Sequence, residues 1–461
     1  MIKFIDLFAG TGGIRLGFEK ACEKFDLKTE CVFSSEIDKN ACASYELNFG
    51  HNPFSDITKV EELPPFDFML AGFPCQSFSY AGKRRGFGET KGTLFFEVER
   101  LLSKYKPNGF LLENVRGLTT HDQGRTFETI INSLKNLGYS VDYFLLNSSN
   151  FGVPQNRVRI YIIGTLNEQI KTKLQSDVGA ADSHKFKEHN GQFSLFSEPK
   201  TIRVINDILE KTFPEKYECT EDFVSKLKRV VGNDLSKLNG QRLIDYRGGQ
   251  AIHSWELGIK GECTKSEIDF LNLLIGNRRK KTFGTHQDGK SLTIEQIKTF
   301  YKKNDLSEIL NSLVQKGYLS INENKFNPVA GNMSFEVFKF LDPESISITL
   351  TATDTNRLGI VQNGRARKLT PRECARIQGF PDSYKLLDND NAVYKQMGNA
   401  VSVPVIETVI TDLIKNNNIF NKTKANTSKT PILAGRTLPP IDQYQPKTVP
   451  DLCINRQKNR E

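Results

Sequence analysis

The chain has 461 residues, 38% of them apolar and 25% charged, with a net charge of +9. That length exceeds what one core usually serves, so two domains are expected. No run approaches the ~18 apolar residues of a membrane span, and the opening MIKFIDLFAG lacks the layout of a signal peptide. The 8 cysteines never form C-x-x-C, and the 6 histidines never join them at zinc spacing. Reduced thiols in a cytoplasmic compartment, with no metal and no membrane, follow as expectations. The positive balance suits a polyanionic partner.

Apolar runs at 3–8, 29–35, 66–71, 110–113, 139–147 and 159–164 read as strands. Between them, 14–25, 38–48, 93–104 and 124–137 carry helical spacing. Alternation of this kind predicts a doubly wound α/β sheet. The pattern breaks near Ser183, where short helices, Gly-rich turns such as YRGGQ and basic clusters begin. It returns at RKLTPRECARIQGFP and ends in a helix near 401–415. The expected layout is a first catalytic part over 1–182, an inserted domain over 183–362, a return segment over 363–416 and an irregular tail over 417–461.

In the first turn, DLFAGTGGIRLGF places Gly10, Gly12 and Gly13 between a strand and a helix. Glycines permit a tight turn and close approach to a ligand, and the following helix N-terminus favours negative charge. A dinucleotide fingerprint wants a third glycine where Arg15 stands, which disfavours NAD. The spacing Asp6-x-x-x-Gly10-x-Gly12 instead fits loops that hold the methionine part of S-adenosylmethionine. Glu36, after the second strand, is placed to accept ribose hydroxyls, and Asp56 with Ile57 to meet the adenine amino group and face. A helix-capping turn with surface acids is the bland alternative.

Next comes AGFPCQSFSYAGKRRGF at 71–87. Pro74 makes a stiff exit from a strand, so Cys75 sits at a corner. Reactive thiols need an exposed, electropositive setting, which Lys83, Arg84 and Arg85 can supply. A turn thiol is the alternative on these residues alone. In QNRVR, Arg157 and Arg159 are two apart at the start of a strand and so point the same way.

The blocks DLFAGTGG, GFPCQSFS, ENV at 113–115, FGVPQNRVRIYIIG, RKLTPRECARIQGFP and YKQMGNAV occur in the order shown by DNA cytosine-5 methyltransferases. Over 1–165 and 365–415 the chain strongly resembles that family, most of all its compact bacterial restriction–modification members. The resemblance implies a Rossmann-like S-adenosylmethionine-dependent domain carrying a target-recognition domain. It makes Cys75 the nucleophile towards cytosine C6 and Glu113 the acid at N3. Arg157 and Arg159 would hold cytosine O2 and a nearby carboxylate or phosphate. The methyl donor falls to Phe8, Gly10, Gly12, Glu36, Ile37, Asp56, Ile57, Pro74, Leu94 and Asn399. Ile37 stands where some members have an aromatic residue. Lys83, Arg84, Arg85 and Gln155 are expected at DNA, around a flipped base. Double-stranded DNA is the expected partner, with a restriction endonuclease acting alongside but not in a stable complex, and the protein a monomer. The large inserted domain argues against an RNA cytosine methyltransferase, and the intact catalytic set against a regulator with a dead fold.

Within the insert, 266–329 reads as three helices and a hairpin, the pattern of a winged helix, a common DNA-reading module. There Asn311 and Gln315 are expected to face bases, and Arg278, Arg279, Lys280 and Lys281 to meet phosphate. A helical prop is the alternative.

Overall fold

The computed structural model describes residues 1–74, 94–166, 168–177, 203–245, 251–284, 291–331 and 334–420. Cys75, Lys83, Arg84, Arg85, the YRGGQ turn at 246–250, the boundary at 182/183 and the tail beyond 420 lie outside the described residues.

The first sheet is built from β1 (Ile2–Leu7), β2 (Thr29–Ser35), β3 (Phe68–Ala71), β4 (Gly109–Val115), β5 (Ser140–Asn147) and β6 (Val158–Thr165). Helices α1 (Gly13–Glu23), α2 (Lys39–Phe49), α3 (Leu94–Tyr105) and α4 (Arg125–Asn136) alternate with them. The spatial order is β2-β1-β3-β4-β6-β5. The pairs from β2 to β4 are parallel, whereas β6 runs antiparallel to both β4 and β5. Central strands covered on both faces read as continuous apolar runs, and β4 is buried from Gly109 to Asn114. On one face α3 and α4 pack their i, i+3/i+4 stripes, Phe95–Val98–Leu102 and Phe127–Ile130–Leu134, against Leu112, Ile160 and Ile162. Truncating a core leucine such as Leu134 to Ala costs ~2–5 kcal/mol.

A second region begins with α5 (Glu221–Val231), β7 (Arg242–Leu243) and β8 (Ala251–Ile252). There follow α6 (Lys265–Asn277), β9 (Leu292–Thr293), α7 (Ile294–Lys298), α8 (Leu306–Gln315), β10 (Leu319–Asn322) and β11 (Lys325–Pro328). The three helices and the hairpin stand where the apolar spacing puts them. Strand β9, two residues long and too short for a periodicity signal, joins β11 to make a three-stranded sheet, β10-β11-β9. Thr264 and Thr293 each close a capping box, with Glu267 and Gln296. This helix–strand–helix–helix–hairpin unit has its own core around Trp255, Phe270, Leu274, Leu310 and Leu313.

The chain then adds β12 (Lys339–Phe340), β13 (Leu358–Gln362) and β14 (Arg365–Lys368), completing a five-stranded sheet β14-β13-β12-β7-β8. The β13–β14 hairpin pairs across the expected 362/363 boundary, with Gln362 opposite Arg365. Helices α9 (Pro371–Ile377), α10 (Asp390–Asn399) and α11 (Val403–Asn416) follow, and α11 packs with α1 on the face of the first sheet opposite α3 and α4. The tail starts later than 417: Asn417 donates to the Lys171 carbonyl, and Ile419 is buried in the α1–α11 core. Among the described residues, the helical run Asp390–Asn416 alone has the length and apolarity to cross a membrane, and 67% of its apolar window is buried.

Candidate active site

A cleft of about 630 Å³ opens at the carboxyl ends of β1, β2, β3 and β4. Its floor is the turn after β1. Phe8 and Gly10 both take left-handed φ of 54° there, and Gly12 follows at 76°. A Cβ on Gly12 would lie 2.2 Å from the Phe49 ring, so this glycine shapes the turn and packs away from the cleft rather than lining it. Tyr384 Oη donates to the Thr11 carbonyl at 2.7 Å, fastening the turn to the return segment.

Glu36 stands at the end of β2. Its Oε2 accepts from Gly10 N–H at 2.8 Å, and its Oε1 from Ile37 and Asp38 N–H at 2.7 and 2.8 Å. One carboxylate thereby ties the first and second strand ends together. Ile37 is 69% exposed at the cleft wall, a flat apolar surface next to a carboxylate. Asp56 caps the turn after it, and the hydroxyl and N–H of Thr58 hold its pKa below the ordinary range. Ile57 is buried behind it and also lines the cleft. Asp38, Lys395 and Asn399 complete this end, with Asp38 paired to Lys395 at 2.8 Å.

At the other end lies Glu113. The antiparallel β4–β6 register puts Arg159 opposite Val115, diagonal to Glu113. Glu113 Oε1 lies 3.4 Å from Arg159 Nε. Burial pushes the Glu113 carboxyl up, and Arg159 and Arg157 oppose that rise. Asn114 Nδ2 donates to the Phe73 carbonyl at 2.8 Å, holding the β3 exit beside Pro74. Pro74 and Leu94, which flank 75–93, both line the cleft.

Two of the expected residues are buried in this wall. Gln155 is fully buried: its amide donates to Gln378 Oε1 and the Ile377 carbonyl, and its oxygen accepts from Leu350 N–H. It joins the β5–β6 loop to α9 and has no surface to offer DNA. Arg157 is 2% exposed, and its guanidinium donates to the carbonyls of Leu350 (2.8 Å), Gly398 (3.4 Å) and Ala400 (2.7 Å). Burial, with Arg159 next to it, pushes its pKa down. It braces three chain segments while lining the cleft and acting electrostatically on Glu113, and Arg159 is the arginine within 3.4 Å of that carboxylate. The signal missed in the sequence is 347–355, a strap whose Ser347 exchanges backbone bonds with Pro154 and Asn156.

In the second region Asn311 and Gln315 are exposed on α8, and Arg279, Lys280 and Lys281 are exposed after α6. Arg278, by contrast, is buried. It is 5% exposed and donates to Asn327 Oδ1 at 2.9 Å, pinning α6 to β11. Among the described residues, no group of three His, Cys, Asp or Glu side chains is placed to hold a metal ion.

Residues 2–415 match the family model described as C-5 cytosine-specific DNA methylase. The type II methyltransferase M.BanI of Aneurinibacillus aneurinilyticus is 64% identical over 416 residues, covering 90% of this chain and 96% of that one. M.HgiCI of Herpetosiphon aurantiacus is 60% identical over 415 residues, covering 90% and 98%. M.NlaIV of Neisseria lactamica is 42% identical over 440 residues, covering 88% and 97%.

Proposed function

The chain belongs to the C-5 cytosine-specific DNA methylase family, as an enzyme of the restriction–modification type, and from that premise we propose how its residues work. The observation that carries the reading is the Glu113–Arg159 pair at one end of a cleft whose other end is walled by Glu36, Ile37 and Asp56. The acid end fits the ribose and adenine of S-adenosylmethionine: Glu36 for the hydroxyls, Ile37 and Ile57 for the base faces, Asp56 for the amino group. Phe8, Gly10, Pro74, Leu94 and Asn399 line the remainder. When bound, this donor supplies a methyl group on a sulfonium sulfur.

Cytosine C5 is a poor nucleophile. Cys75, one residue beyond Pro74, adds as thiolate to C6 and forms the C–S bond. Glu113, kept protonated to higher pH by its burial, hydrogen-bonds and protonates N3 as electrons arrive. Arg159 holds cytosine O2. C5 then takes the methyl group, the C5 proton leaves to a base, the thiolate departs with the C–S electrons, and N3 returns its proton to Glu113. The target carbon is shielded inside a duplex, so the cytosine is flipped into the cleft, with Lys83, Arg84 and Arg85 meeting backbone phosphates.

The helix–hairpin unit reads the sequence through Asn311 and Gln315, while Arg279, Lys280 and Lys281 hold phosphate. The enzyme acts as a cytoplasmic monomer on double-stranded DNA and protects it from a partner endonuclease. Trapping on duplex DNA containing 5-fluorocytosine tests the mechanism, because loss of the C5 proton is blocked there. The native protein forms a covalent adduct in the presence of the donor and Cys75→Ser forms none. An adduct with the Ser variant overturns the assignment.

A further inference from the structure

Two smaller cavities lie on either side of Ile348 and Thr349. One, about 460 Å³, includes Arg159 and Arg116 and so continues the main cleft outward. The other, about 250 Å³, ends at Arg242 on β7. Together they make a groove that leads from the catalytic end across the 347–355 strap to the second sheet.

Its far end holds an electrostatic anomaly. Arg242 on β7 and Lys339 on β12 face each other directly in the antiparallel register. The flanking bonds run from Leu243 N–H to the Phe338 carbonyl and from Phe340 N–H to the Gln241 carbonyl. That pattern marks a non-hydrogen-bonded pair, the arrangement that brings side chains closest. Like charges directly opposite each other are destabilising. The Lys339 ammonium is taken up by the Gly240 carbonyl. Among the described residues, Arg242 has neither an ion pair nor a side-chain hydrogen bond. Asp354, the acid of this cavity, is engaged with the hydroxyls of Thr351 and Thr353 at 3.3 and 3.2 Å. A register that sets two cationic residues opposite each other, with Arg242 lining a groove, has a place for an anion there.

We propose that this groove seats the sugar–phosphate backbone flanking the target nucleotide, with Arg242 as a phosphate-contact residue. The inference rests on the reading of the chain as acting on duplex DNA, and it adds a contact outside the cleft and outside the helix–hairpin unit. A phosphate contact carries no sequence information, so Arg242 supplies affinity and register rather than specificity.

The test uses the full chain with the product S-adenosylhomocysteine, titrating cognate and one-base-altered duplexes by fluorescence anisotropy across a salt series. Arg242→Gln should bind both duplexes roughly tenfold more weakly at low salt. Its log K against log salt slope should be shallower by about 0.9, the value of one phosphate. Arg242→Lys should restore the slope. The thermal midpoint of Arg242→Gln without DNA should hold or rise, because a like-charge opposition is removed. An arginine with a merely structural role would lower it. Unchanged affinity and slope overturn the proposal, as does weakening confined to the cognate duplex. A native protein that binds donor but no duplex overturns the reading on which it rests.

Discussion

Gly398 sits in the last turn of α10, where a Cβ would come within 2.3 Å of the Thr351 carbonyl carbon and 2.4 Å of Ala352 N. Both are backbone atoms, so no side chain can swing aside. Gly398→Ala must push the strap back by about 1 Å to reach ordinary contact. The strap is tethered where it would move: Leu350 accepts from Arg157, and the Thr351 carbonyl accepts from Thr355 N–H and Oγ1. Losing the charged bond costs ~1.5–3 kcal/mol and a neutral one ~1 kcal/mol. Better helix propensity returns up to ~1 kcal/mol. The net expectation is a destabilisation of about 1.5–3 kcal/mol, read as the shift in free energy from urea unfolding. Gly276, in α6, is the control, since nothing lies within 4 Å of its Cβ position. Gly276→Ala should stabilise by ~0.5–1 kcal/mol. The same substitution in two helices thus takes opposite signs. A neutral or stabilising Gly398→Ala would refute the claim that the strap is locked against α10.

Glu113→Gln should keep DNA and donor binding but slow single-turnover methyl transfer by roughly 10² to 10⁴, and a near-native rate would sink its role as the acid. Because burial raises this carboxyl, the alkaline fall in the native rate should lie above the pH of an ordinary glutamate, and that limb should be absent in the Gln variant. Asp6, buried beneath the glycine turn with Oδ1 unpartnered, is pushed up to about 8 by desolvation against the pull of Arg15 and Tyr45. Between its ordinary range and pH 8 the folded state holds a proton that the unfolded chain has released. Stability should therefore fall with rising pH, by at most ~1.4 kcal/mol per pH unit from this group. Asp6→Asn should flatten that slope in a pH series of thermal midpoints, and an unchanged slope would refute it.

Local pattern carried much of the first half. The six strands of the catalytic sheet, the left-handed Gly10 turn and the acids Glu36 and Asp56 at strand ends were legible because each depends on a few neighbouring residues: apolar period, glycine and strand exit. The three helices of the second region were legible for the same reason, from their apolar spacing, with Thr293 and Gly317 marking ends. Two-residue strands such as β7, β9 and β12 were not, because their identity comes from the strand they pair with.

Which polar residues are buried was decided by tertiary structure alone. Gln155, Arg157 and Arg278 look from the sequence like surface cations and amides beside a basic stretch. Their burial follows from distant carbonyls and amides, at Leu350, Gln378, Ala400 and Asn327, that the fold brings within 3 Å. A buried polar group persists only where its hydrogen bonds are supplied, and those partners lie 49 to 243 residues away along the chain. The sequence by itself made the residue types of the cleft legible, because these and their loops are local. Which of these side chains brace the wall came from long-range packing, which no spacing along the chain encodes.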